Sequence, residues 1–178
     1  LALAYGNSVM LSDSVEHSYF PSDQTFQLPD DGGEIVALRL FYGALIIFRD
    51  KDIWAFFGDS VTDESARLVL QESSVGCIAP KSIVDVPGGG LVFAGADNIY
   101  ALQGVAAIED QVEANPIGDD INPYYIKAVS ENGSAIYHNR EYILSFPDAI
   151  EPERVFRYKA TKQAWYVDTG PKAVDYIS

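Results

Sequence analysis

The side chains with which this chain could hold a metal, attack a bond or move a proton are two histidines, one cysteine and a scatter of carboxylates. His17 and His138 stand far apart, with no histidine at i+4 and no Cys-x-x-Cys pair near either, so the spacing of a transition-metal site is missing. His138 precedes Asn139 at the end of an apolar run and reads as a hydrogen-bonded turn residue. Cys77, between Gly76 and Ile78, excludes an internal disulfide and reads as a small buried hydrophobe rather than a nucleophile. Asp50, Asp52 and Asp97 fall in turns. At one rim of a propeller they would lie where sugar-cleaving enzymes of that shape place two carboxylates, although any tight turn also favours aspartate. Gly88-Gly89-Gly90 has no following helix and no Gly-Lys-Ser/Thr, so it is a hairpin and not a phosphate loop. The eleven tyrosines and nine phenylalanines mostly occupy strand positions and read as core before they read as a sugar-binding face. Asn132-Gly133-Ser134 fits a glycosylation sequon, too short a pattern to weigh without a compartment. No residue is assigned a catalytic, cofactor or metal role, and the chain is expected not to be an enzyme.

The elements that carry these residues are short strands. Ala79 to Gly104 reads APKSIVDVPGGGLVFAGADNIYALQG, in which Ile83 to Val86, Leu91 to Ala94 and Ile99 to Leu102 have strand length and no 3.6-residue stripe survives the glycines. The pattern recurs upstream from Glu34 to Asp59, where Ile47-Phe48 falls on Val92-Phe93, Ile53-Trp54 on Ile99-Tyr100 and Gly58 on Gly104. A weaker copy runs from Ser134 to Phe146, with Ile136-Tyr137 in the place of Val92-Phe93, and a truncated one covers Leu1 to Ser12 around the turn Gly6-Asn7. A period of about 44 to 46 residues with three or four strands each is the mark of propeller blades.

Taken in order, the strands expected are Thr25 to Leu28; Ile35 to Phe41, Ala44 to Arg49, Ile53 to Phe57 and Arg67 to Gln71; the three above, with Val105 to Ala114 helix or strand and strand preferred; Tyr124 to Val129, Ala135 to His138, Tyr142 to Phe146 and Arg154 to Lys159; then Ala164 to Asp168 and Ala173 to Ile177. Leu45-Ile46-Ile47-Phe48 shows no alternation, which calls for sheet neighbours on both faces. The fold class is therefore all-β and propeller-like, one domain over 1–178 of about four blades with three to four antiparallel strands each. The blades span approximately 1–33 (with 171–178), 34–78, 79–120 and 121–170. Either the two termini pair to close a small propeller, or the four blades are an arc of a larger ring. The chain begins at Leu1 with no methionine, as a piece of a longer protein would.

Twenty-six acidic residues against twelve basic give a formal net charge of −14. Binding to a phosphate backbone requires the opposite sign. The charge suits solvated loops, or a passage along which a polyanion slides without sticking. No apolar run approaches the roughly 18 residues of a membrane span.

The stretches SSVGCIAPKSIVDVPGGGLVFAGADNIYAL, LRLFYGALIIFRDKDIWAFFGD, AIYHNREYILSFPD and RVFRYKATKQAWYVDTG resemble the β-propeller tail proteins of short-tailed bacteriophages, called packaged-DNA stabilisation, tail tubular or nozzle proteins. The features that carry the resemblance are Gly76-Cys77 with Ala79-Pro80 opening a blade, an apolar-Phe pair before a turn, Asn98-Ile99-Tyr100, and the Tyr158 to Trp165 hairpin ending in Asp168-Thr169-Gly170. The resemblance implies a non-enzymatic virion component without cofactors. It would assemble as a homo-oligomer, a hexameric ring around the DNA exit channel, beside other tail proteins such as the adaptor, and pass DNA without specific binding. Family members are several times longer. A quinoprotein-like propeller scaffold is the alternative, since Leu91-Val92-Phe93 to Tyr100-Ala101-Leu102 and Lys162 to Trp165 also resemble its repeats, although Trp54 and Trp165 are expected at non-equivalent blade positions. A sugar-acting propeller enzyme is a third reading.

Overall fold

Short apolar runs punctuated by glycine make hairpins because each tight reversal needs a residue that tolerates positive φ. Tyr42-Gly43 turns at φ 49° and 73°, and Asn139-Arg140 at 51° and 66°. The computed structural model describes residues 1–104, 111–149 and 154–169. It is all-β apart from one short helix and several single 3₁₀ turns, and it divides into two compact units, Leu1–Gly76 and Cys77–Ser178.

In the first unit β1 (Ala2–Tyr5), β2 (Ser8–Leu11) and β3 (Thr25–Gln27) form a three-stranded antiparallel meander. A four-stranded one follows from β4 (Ile35–Phe41), β5 (Ala44–Arg49), β6 (Ile53–Phe57) and β7 (Arg67–Glu72), paired in chain order. Val9, Leu28, Ile47 and Phe56 make a core between the two sheets, with Phe26 stacked on Phe56 at 4.9 Å. On the other face of β5 and β6, Ile46, Phe48, Ile53 and Ala55 are fully buried as well. The unbroken apolar run of β5 thus has a buried residue on both faces, which is what its missing alternation requires.

The second unit repeats the arrangement. β8 (Val84–Val86), β9 (Gly90–Ala94), β10 (Ile99–Gly104) and β11 (Val112–Pro116) form one meander. β12 (Ser134–His138), β13 (Glu141–Ser145), β14 (Arg154–Lys159) and β15 (Ala164–Thr169) form the other. Val92, Ala94, Ile99 and Ala101 of the former share a core with Tyr142, Leu144, Phe156 and Tyr158 of the latter. Sixteen buried residues make up this core, ten on strands and six on α1 and the connecting segments, and each large side chain contributes ~1.5–3 kcal/mol.

Two expectations are corrected. Tyr124 to Val129 is not a strand: α1 (Asn122–Tyr125) starts with Pro123 in its first turn, and the helical bonds Ile126 N–H to Asn122 C=O and Val129 N–H to Tyr125 C=O continue it. Proline suits a first helical turn, where its missing N–H costs nothing. With that strand gone the last copy is out of step. Ile136-Tyr137 lies on the first strand of its sheet, not the second strand occupied by Val92-Phe93, and Ala164 to Asp168 supplies the fourth. Of the ambiguous Val105 to Ala114, the end belongs to strand β11; residues 105–110 and the expected terminal strand Ala173 to Ile177 lie outside the described residues.

Candidate functional site

The turn between β5 and β6 is built on a buried cation. Arg49 ends β5 with its side chain fully buried, because the strand it closes is buried on both faces. Its Nε donates to Asp52 Oδ1 at 2.6 Å and its Nη2 to Asp52 Oδ2, a two-pronged pair. Nη1 donates to the carbonyl of Pro29 and, at 3.4 Å, to that of Gly33. The guanidinium therefore ties the loop before β4 to the turn after β5, its charge balanced by a carboxylate that is itself 7% exposed. Gly32 and Gly76 leave it room: a Cβ on Gly32 would overlap the guanidinium, and one on Gly76 the main chain of Arg49 and Asp50.

The matching turn of the second unit uses an amide. Asn98 is buried, its Oδ1 accepting from the Ile99 amide at 2.8 Å and its Nδ2 donating to Asp119 Oδ1 at 2.7 Å. From α1, Tyr125 donates its hydroxyl to the Gly95 carbonyl at 2.6 Å and Asn122 its Nδ2 to the Asp97 carbonyl at 2.7 Å, so the helix is sewn to the β9–β10 turn. Tyr142 donates to the Ser82 carbonyl at 2.9 Å. Burial pushes the hydroxyl pKa of Tyr125 and Tyr142 far up, with the Cys77 thiol adding to it for both, and raises that of Tyr158.

These contacts decide what the three candidate aspartates can do. Asp52 is locked on Arg49 and shielded from water, Asp50 is exposed, and Asp97 is exposed and accepts from the Tyr100 hydroxyl at 2.9 Å. Both Asp52 carboxylate oxygens are taken up by the Arg49 guanidinium, so the Asp50–Asp52 turn presents one exposed carboxylate. His17 is exposed, its Nδ1 3.3 Å from the Asp13 carbonyl, and His138 is exposed at the end of β12. Cys77 is fully buried and donates to the Ala79 carbonyl at 3.3 Å. Gly88 and Gly90 take positive φ in the β8–β9 hairpin. Among the described residues no three His, Cys, Asp or Glu side chains meet as a metal site. Phe48, Phe93, Tyr142 and Phe156 are core, as their strand positions suggest, and so are Tyr125 on α1 and Phe146 just after β13. Trp54 lies on the third strand of its sheet and Trp165 on the fourth, where its Nε1 donates to the Ile117 carbonyl. A groove of about 460 Å³ is lined by Pro80, Lys81, Glu131, Asn132, Pro147 and Asp148. In it the Asp148 carboxylate is held by the Ser130 hydroxyl and, at 2.9 Å, by Asn132 Nδ2, the sequon amide.

The charge has a clear placement. Of the 21 described acidic residues 16 lie on connections and five on strands, so the negative charge sits at the ends of the sheets more than on their faces. In the first unit the connections 12–24 and 58–66 hold Asp13, Glu16, Asp23, Asp59, Asp63 and Glu64 and no lysine or arginine. Gln24 joins them, with Nε2 donating to Ser60 Oγ at 2.8 Å and Oε1 accepting from the Val61 amide at 2.9 Å. Main-chain donation from Glu16 and Val15 holds the Asp13 carboxyl below its usual range, and donation from the amide and hydroxyl of Ser65 does the same for Asp63. These two carboxylates thus keep their charge to a lower pH than an ordinary aspartate does. Sequence reasoning missed the buried Arg49. The signal was an arginine closing an unbroken apolar run, with an aspartate three residues on.

No protein-family model matches this chain, and no curated protein sequence matches it.

Proposed function

We propose that this chain is a structural, non-enzymatic component of a short-tailed phage tail, its four meanders being propeller blades and its copies forming a ring around the channel through which DNA leaves the virion. The observation that supports this most is the gathering of carboxylates on the sheet ends. Such a rim repels a polyanion over a Debye length of about 8–10 Å and offers no cation array to hold it. Meanders packed face to face in pairs are the blade geometry that the reading needs. Asp52, locked on a buried arginine, weakens the sugar-cleaving alternative, and two tryptophans on different strands weaken the quinoprotein-like one. Antibody labelling of intact particles tests the assignment. Label at the distal tail of short-tailed virions is expected, and label on a cell-envelope fraction with none on virions would overturn it.

A further inference from the structure

Of the six asparagines, Asn132 alone precedes a glycine, and Asn115 and Asn122 precede prolines. The difference is chemical. An asparagine side chain is open to attack by the main-chain nitrogen of the next residue, glycine hinders that approach least, and proline has no N–H to lose. Asn132 is also exposed, on the turn that leads into β12. A bulkier neighbour is ruled out by packing, because a Cβ on Gly133 would stand 2.4 Å from the Phe146 ring in the core of the second unit. The fold therefore keeps the reactive pair, and any restraint on it has to come from other atoms.

Two contacts supply that restraint. Asn132 Nδ2 donates to Asp148 Oδ2 at 2.9 Å, while the Ser130 hydroxyl holds the other oxygen of the same carboxylate. The Gly133 N–H donates to the Ser130 carbonyl at 3.3 Å. The amide that would leave and the nitrogen that would attack are thus both engaged, and both must let go before they meet.

We propose that Asn132 is the site at which this chain deamidates spontaneously, and that its bridge to Asp148 sets the rate. The Gly133 nitrogen gives its proton to water and bonds to Asn132 Cγ. The Cγ–Nδ2 bond breaks, and Nδ2 takes a proton from water and departs as ammonia. A second water then opens the cyclic imide at either carbonyl, leaving aspartate or isoaspartate. Either product sets a new carboxylate against Asp148, so the bridge cannot re-form. Isoaspartate also lengthens the main chain beside Gly133, where Phe146 leaves no room. The reaction is thereby a one-way release of the 130–133 turn.

Peptide mapping of the full chain during incubation in neutral buffer, with isoaspartate scored at Asn132, tests this. Folded chain is expected to lose the amide at least about tenfold more slowly than the same chain in denaturing urea, as two engaged hydrogen bonds should give. Asp148→Ala should speed the folded reaction at least about threefold, one such bond being gone, and leave the rate in urea unchanged. Tyr142→Phe weakens the same unit away from the bridge and should leave the folded rate unchanged, since local opening does not require the sheet to unfold. Equal rates in buffer and urea would overturn the proposal. So would an Asp148→Ala effect no larger than that of Tyr142→Phe, or faster loss at another asparagine of the folded chain.

Discussion

Asp52→Ala tests the buried pair on which the first unit is pinned. Arg49 has no water to replace the carboxylate, because its side chain is fully buried and its other donors are already committed to Pro29 and Gly33. Removing one partner of a buried pair leaves an uncompensated charge and costs about 3–5 kcal/mol. A folded unit of this size is stable by only ~4–11 kcal/mol, so the substitution takes away a large part of the total. Urea unfolding reports on it cleanly, since Trp54 is in the first unit and Trp165 in the second. In a Trp165→Phe background, fluorescence follows the first unit alone. With a urea slope of ~1–2 kcal/mol per molar, its midpoint should fall by about 1.5–5 M or the unit should be unfolded from the start. Lys51→Ala, one residue away and exposed, should stay within about 0.5 kcal/mol of the unsubstituted chain. A loss under about 1 kcal/mol for Asp52→Ala, or one equal to that of Lys51→Ala, would refute the argument.

Gly76→Ala sets a Cβ against the main chain of Arg49 and Asp50, which cannot swing aside; a loss of about 2 kcal/mol or more is expected in the same assay, and an unchanged midpoint would show that the backbone gives way. Tyr142→Phe removes the hydroxyl donated to Ser82 and leaves a buried carbonyl unpaired, so a loss of about 1–3 kcal/mol should appear in the Trp165 signal of a Trp54→Phe background. Stability should also fall in alkali. Burial keeps Tyr125 and Tyr142 protonated in the folded chain, whereas the unfolded chain ionises them near pH 10; their contribution is whole below that pH and declines above it by about 1.4 kcal/mol per unit for each tyrosine. Urea titrations at pH 9, 10.5 and 11.5 check this, and a flat result would mean that water reaches the hydroxyls.

Much of the fold is legible in the residues. Glycines at Gly6, Gly43, Gly88 and Gly90 mark reversals that need positive φ, and the apolar doublets near them fix the strands. The offset of the last sheet is not, because Tyr124 to Val129 has strand composition and becomes helical through contacts far along the chain, above all the Tyr125 hydroxyl on Gly95. Local pattern cannot contain a bond spanning 30 residues. The same limit separates Asp50 from Asp52. Both are turn aspartates in the sequence, and only the direction of the Arg49 side chain makes one of them structural. The acidic loops, by contrast, could be read directly, since exposed turns need no distant partner to place them.

The native mass of the assembly, measured together with its image, bears most directly on the tail-channel account. A ring of about six copies around an axial hole is the expected result, a closed cyclic symmetry built from one repeated interface. A single copy at micromolar concentration, with no ring in the images, would contradict it.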